Sequence, residues 1–363
     1  MLSSLRDAIL SHPDGALCLA GLVVGTLFGA VLQATNYCVM GAVTDWRITG
    51  DKGRLGAAAL AAATAIMGTQ FLDAAGVVDL SKSMYLTPRL NWFGAAFGGL
   101  LFGAGMVYAG GCPSRGLVRA GGGDLRALVA LVTMAIFAFA TISGIFGSLR
   151  AAIDRMTAVD IGQFGLTSQG LGHVLSISGL GSEGGRVAAA ALLALPLIVF
   201  AVRSGQILSQ PRNLLGGLAV GGLAVLGWAM TGLAADDMAV KPMSPQSLSF
   251  VRPVGDAIDW IERSTALGLP GFGASSVFGV LFGSFLMSFA ARSIAFAGFA
   301  DGRDLQRHVM GAAAMGCGGV LALGCTIGQG VSGLSTLSLQ SIIAAAAIVG
   351  GAVIGIERLQ SRL

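Results

Sequence analysis

Residues 103–112 read GAGMVYAGGC, and residues 316–325 read GCGGVLALGC. Without a gap, Gly103 pairs with Gly316, Gly105 with Gly318, Val107 with Val320, Ala109 with Ala322, Gly111 with Gly324 and Cys112 with Cys325. Each stretch is a glycine-packed apolar run that stops at one cysteine. Each is followed by a glycine-rich polar segment, Pro-Ser-Arg-Gly after Cys112 and Thr-Ile-Gly-Gln-Gly after Cys325. Helices that break twice in the same way, in a very hydrophobic chain, predict an internal repeat with a substrate site between its halves.

The bulk composition sets the class. The 363 residues are 54% hydrophobic and only 11% charged, with mean hydropathy +0.79. A soluble domain of this size could not cover its surface with so little charge. Glycine is abundant, at 57 residues, and small residues let helix backbones approach closely in lipid. The expectation is an all-α polytopic membrane protein in a lipid bilayer. The net charge of +4 comes from basic residues scattered singly through short loops, which fits membrane topology and argues against nucleic acid.

Apolar runs of bilayer length, roughly 17–25 residues, fall near 15–35, 56–76, 92–110, 127–148, 186–203, 213–233, 273–297, 309–324 and 336–356. That predicts about nine transmembrane helices in a single transporter domain, 1–363. Shorter pieces near 37–44, 113–122, 164–181 and 326–334 read as re-entrant or half-helices, which need protein or a water-filled cavity around them. The segment 234–270 carries Asp236, Asp237, Asp256, Asp259 and Glu262 with Pro242, Pro245 and Pro253, and reads as a soluble cap loop. No cleavable signal peptide is expected, because a polar start leads straight into a long apolar span. Basic residues in loops 45–54 (Arg47, Lys52, Arg54) and 112–126 (Arg115, Arg119, Arg126) and at the end (Arg358, Arg362) place those parts in the cytoplasm, hence a periplasmic N-terminus and a cytoplasmic C-terminus.

The repeat extends upstream, giving two pseudosymmetric halves over about 20–150 and 273–356. Gly25-Thr-Leu-Phe-Gly29 resembles Gly279-Val-Leu-Phe-Gly283, and Leu32 matches Leu286. In that register Cys38 falls opposite Arg292. Of the five cysteines, Cys18 and Cys317 read as small packing residues. Cys38, Cys112 and Cys325 stand at glycine-rich breaks, where released backbone N–H groups and helix N-termini favour an anion. No Cys-x-x-Cys pair occurs, so neither a zinc site nor a disulfide framework is expected.

Three thiols at such breaks suit either copper(I), which prefers soft ligands, or a soft sulfur-containing anion that accepts S–H hydrogen bonds. The methionines are scattered, which weakens the copper reading. For an anion the thiols must stay protonated, since a thiolate would repel it at low dielectric. Arg115 follows Cys112 by three residues, Arg292 lies within an apolar run, and Asn36 and Gln329 add polar contacts near the thiols. An ionisable residue within a span is a functional candidate by default. Asp45, Asp124, Arg119 and Arg126 read as loop or capping residues, and His12, His173 and His308 form no cluster. No Gly-x-x-x-x-Gly-Lys sequence marks an ATPase module.

Gly-Cys-Thr-Ile-Gly-Gln-Gly-Val-Ser-Gly at 324–333, Gly-Gly-Cys-Pro-Ser-Arg-Gly at 110–116 and Tyr-Cys-Val-Met-Gly-Ala at 37–42 resemble the YeeE/YedE family of sulfur-compound transporters. The resemblance covers about residues 20–356. It implies thiosulfate uptake across the bacterial inner membrane, through a fold of two pseudosymmetric halves whose short helices meet at mid-membrane. It implies that Cys38, Cys112 and Cys325 pass the anion along by S–H hydrogen bonds, with no cofactor, no metal and no catalytic residue. It also implies a small cytoplasmic sulfurtransferase-like partner. Some relatives are linked to selenium, which leaves a selenium compound open as substrate.

A membrane sulfurtransferase is the rival from another class. In it Cys112, beside Arg115, would attack the outer sulfur of thiosulfate and carry it as a persulfide. A structural subunit with merely packed cysteines is a second.

Overall fold

The computed structural model describes residues 9, 11–164, 166, 168–176, 181–204, 207, 209–235 and 243–361. Asp236, Asp237, Pro242 and Arg362 lie outside the described residues. Fourteen α-helices are described: α1 (Pro13–Thr35), α2 (Val39–Ile48), α3 (Gly53–Ala74), α4 (Trp92–Tyr108), α5 (Pro113–Gly121), α6 (Leu125–Ile142), α7 (Gly147–Thr157), α8 (Leu171–Leu175), α9 (Gly181–Arg203), α10 (Pro211–Leu233), α11 (Val251–Leu267), α12 (Phe272–Ala290), α13 (Gly302–Leu321) and α14 (Leu339–Gln360). A π-helical stretch, Gly328–Gly333, lies between the last two. Among the described residues the strand content is one two-residue pair, Arg89–Leu90 with Val159–Asp160.

The protein is therefore an all-α polytopic membrane protein. Eight stretches among the described residues are long and apolar enough to cross a bilayer. Helix α13 has the length of a ninth, with Arg303, Asp304 and Arg307 in its first turns.

Glycines set how the spans pack. A Cβ on Gly21 would meet Phe272 O and Ser275, one on Gly25 would meet Ser276 O, and one on Gly29 would meet Val280 O. Rising numbers meet rising numbers, so α1 and α12 run side by side in the same direction. Gly217 against Ala57 and Gly221 against Ala61 show the same for α10 and α3. Gly99 against Ala344 and Gly103 against Ile348 show it for α4 and α14. The sense is reversed between α4 and α13, where Gly98 lies on Gly318 and Gly105 on Gly311. Backbones this close gain dispersion contacts that larger side chains would forbid.

The Gly25 and Gly279 motifs belong to helices packed in parallel, whereas the two cysteine-ending decapeptides lie on antiparallel helices. Helix α12 ends at Ala290, and Arg292, at φ 50, closes it by donating its backbone N–H to Phe289 O before the chain turns away. Arg292 is exposed and lies outside the helix, rather than within the apolar span expected over 273–297.

The segment expected as a soluble cap also runs inward in its described part. Residues 243–250 form neither helix nor strand, and Leu248 and Phe250 are fully buried. Ser247 donates to Ala224 O at 2.6 Å, and Ser332 donates to Leu248 O at 2.7 Å. These bonds satisfy an irregular backbone deep in the protein, which hydrocarbon could not do.

Gly25→Val drives a branched side chain into the Ser276 backbone. We expect it to cost about 3 kcal/mol or more, read as a lower melting temperature in detergent. Gly222→Ala, where a Cβ meets nothing within 4 Å, leaves that temperature unchanged or raised.

Candidate functional site

Each thiol of interest caps a short helix after a left-handed residue has stopped the one before. Asn36, at φ 54, ends α1, and Cys38 then caps α2. Gly110, at φ 74, follows α4, and Cys112 caps α5 with Pro113 in its first position. A proline there lacks an N–H that would be unpaired anyway. Leu323, at φ 58, follows α13, and Cys325 opens the helical turns that run into the π-helical stretch. Gly110 and Leu323 are equivalent positions of the repeat. They share the left-handed turn although leucine costs about 1–2 kcal/mol there.

Sulfur does the capping at two of the breaks. Gly41 N–H donates to Cys38 Sγ at 3.3 Å, and Gly328 N–H donates to Cys325 Sγ at 3.3 Å. A thiol that accepts an amide in this way keeps its own S–H free to donate. Cys112 Sγ lies 3.3 Å from Ser114 Oγ.

The three breaks converge. Cys38 and Cys112 are neighbours, Thr326 lies beside Cys112, and the Phe250 backbone amide reaches Cys325. The Phe28 and Phe250 rings pack with centroids 5.3 Å apart, joining α1 to the start of α11. Thus α2, α5, α11 and the turns after Cys325 all begin in one region. Their N-terminal ends bring backbone amides and positive partial charge to it. All three thiols are buried.

Arg115 supplies the full positive charge. It sits close to Cys38 and Cys112, and its Nη2 donates to Asn36 Oδ1 at 3.1 Å. Arg54 donates to Asn36 O at 2.8 Å and to Asp45 at 2.9 Å. Three buried groups here have no hydrogen-bond partner: Arg115 Nη1, Tyr37 Oη and Thr326 Oγ1. Tyr37 lies beside both Cys38 and Cys112. Leaving buried polar groups unpaired costs about 1–3 kcal/mol each, which makes this the candidate site.

Of the residues singled out from sequence, Cys38, Cys112, Cys325, Arg115 and Asn36 are brought together. Gln329 stands one turn beyond Cys325, but its amide nitrogen is used on Ala322 O, at 2.5 Å. Arg292 is elsewhere, on the surface. Sequence reasoning missed Tyr37 and Thr326, each adjacent to a key cysteine, and it missed the Phe250 amide, which no local pattern marks.

Arg119 and Arg126 hold the architecture. Arg119 donates to Gly110 O at 2.5 Å and to Asp124 at 2.6 and 2.9 Å, and Arg126 donates to Asp124 at 3.1 Å. Burial works against the Asp124 charge, but the bonds from Arg126 and Arg119 prevail and hold its carboxyl below the usual carboxylate range.

The fold and the site define a class: a membrane protein of interrupted helices, with three buried thiols where the breaks meet. The chain matches the family described as Sulphur transport (Sulf_transp) over residues 34–354, nearly its whole length. It belongs to that family. It is 32% identical over 118 residues to the thiosulfate transporter TsuA of Escherichia coli K12, covering 32% of each chain. It is 36% identical over 127 residues to the thiosulfate transporter TsuA of Spirochaeta thermophila, covering 35% of this chain and 37% of that one. These alignments span about a third of the length of each relative.

Arg119→Ala releases the turn that presents Cys112. It should speed maleimide labelling of Cys112 about tenfold or more, given the usual strength of hydrogen bonds to charged groups. Asp124, with its lowered pKa, contributes stability above the unfolded carboxylate value of about 3.9. That contribution is lost as pH falls through the folded value, so acidification should loosen the same turn in native protein and leave Asp124→Asn indifferent.

Proposed function

We propose that this chain carries thiosulfate, or a closely related sulfur oxyanion, across the bacterial inner membrane. The observation that carries this reading is the buried meeting point of Cys38, Cys112 and Cys325 with the unpaired Arg115 Nη1, Tyr37 Oη and Thr326 Oγ1. The transporters to which the chain is similar are named for thiosulfate.

The anion's oxygens would take the arginine and hydroxyl donors, and its outer sulfur would take an S–H. Weak thiol donors suit stepwise passage, because each station must release what it binds. Cys325 lies nearest the face where α4 and α14 begin, and Arg115 and Arg54 lie toward the face where α1 ends. Passage would run from Cys325 past Cys112 and Cys38 to the arginines and Asn36. The arginine-bearing side is taken as cytoplasmic, in line with the bias of basic residues, which gives a periplasmic N-terminus and a cytoplasmic C-terminus. A small cytoplasmic sulfurtransferase-like protein would receive the anion there.

Moving a dianion inward against about 100 mV, negative inside, costs roughly 4.6 kcal/mol, so uptake needs a driving ion. A sulfurtransferase route would instead leave the outer sulfur on a cysteine and release sulfite.

The test is uptake of thiosulfate labelled separately in its two sulfurs, by cells lacking their own uptake route. The native chain should bring in both labels together. Cys112→Ala, Cys325→Ala and Arg115→Gln, present at equal levels, should each lower uptake about tenfold or more. Entry of the outer sulfur alone would replace transport by persulfide transfer. Unchanged uptake in all three variants would reduce the cysteines and Arg115 to packing residues.

A further inference from the structure

Unpaired hydrogen-bonding groups near the thiols divide by chemistry. Beside Cys112 they are an arginine N–H and two hydroxyls. One turn past Cys325 they include an acceptor that no anion could use. Gln329 Nε2 donates to Ala322 O at 2.5 Å. A carbonyl oxygen accepts but cannot donate, so this bond fixes which way the amide points and turns Oε1 away from it. Gln329 Oε1 is buried without a partner, and so is Ser341 Oγ of α14. Both residues have no exposed surface.

The two oxygens close on one point. A Cβ built on Gly333 would collide with Ser341 Oγ and lie 2.9 Å from Gln329 Oε1 and 3.0 Å from Gly328 O. Gly333 ends the π-helical stretch, where the wider turn departs from the ordinary ladder. Three uncharged oxygens therefore face a small cradle that any side chain at Gly333 would fill. Gln329 N–H bonds to Cys325 O at 2.8 Å, so the cradle adjoins the thiol break.

We propose that this cradle binds a monovalent cation, Na+, between Gln329 Oε1, Ser341 Oγ and Gly328 O. The reasons are chemical. An unpaired amide oxygen attracts a cation and repels an anion. No carboxylate contributes an atom here, whereas divalent cations favour carboxylates. Neutral side-chain and backbone oxygens at interrupted helices are suited to Na+. An Na+ held one turn from Cys325 offsets half the charge of a dianion beside it, and its inward movement returns about half of the electrical cost. The role in uptake rests on the transport reading above, but the binding of the ion does not.

The first measurement is the melting temperature of the full chain in detergent, titrated with NaCl, KCl or choline chloride at matched ionic strength. Na+ should stabilise the native chain saturably and more than K+ or choline, and Ser341→Ala and Gly333→Ala should abolish that difference. In the native chain Na+ should also raise thiosulfate affinity about tenfold, a usual size for coupling between two sites. A native chain that melts alike in all three salts would mean that water alone fills the cradle, and the proposal falls. It falls too where Ser341→Ala keeps the full Na+ effect. Na+ stabilisation in a chain that binds no thiosulfate would uphold the cation site and overturn the transport reading. Should Gly333→Ala fail to fold, Ser341→Ala alone decides.

Discussion

A backbone that leaves the helix inside a membrane must find its hydrogen bonds within the protein, because hydrocarbon offers none. That constraint shapes every feature of this molecule. At the breaks before Cys38, Cys112 and Cys325, a left-handed residue stops one helix and a cysteine starts the next. Two of the sulfurs accept a backbone N–H of the new helix. Around them Arg119 takes Gly110 O, Arg54 takes Asn36 O, and Ser332 takes Leu248 O. Each bond closes a gap that the break opened.

The same constraint explains why charge is sparse and local. Asp124 is matched by Arg119 and Arg126, and Asp45 by Arg54. Arg47 of α2 pairs with Glu357 of α14, fastening two helix ends. Among the described residues, Arg115 alone of the arginines near the thiols keeps a buried, unpartnered nitrogen. An N–H left open where others are closed is what the proposed anion site rests on, more than any count of basic residues.

Glycine provides the second condition. Helices α1 with α12, and α4 with α13 and α14, touch backbone to backbone, so their interrupted ends meet within reach of one another. With larger residues at Gly25, Gly103 or Gly318 the helices would stand apart and the four helix starts would not share a site. Packing of this kind gives each break its neighbours, and the neighbours give the thiols their chemistry.

Much of this was legible in the chain itself. Composition fixes the membrane class, and the paired decapeptides reveal two helices that stop at a cysteine, because helix breaking is a local property of glycine, proline and the residues beside them. Cys38, Cys112, Cys325, Arg115 and Asn36 could be singled out for the same reason. Other features depend on distant contacts and leave no local mark. The inward course of residues 243–250, the exposure of Arg292 and the antiparallel sense of α4 and α13 are of this kind. So are the donors left free on Tyr37 and Thr326. Sequence determined where the helices end. Tertiary structure decided which ends meet and which polar atoms stay unpaired, because pairing depends on neighbours that only folding brings together, as with Asn36 and Arg115.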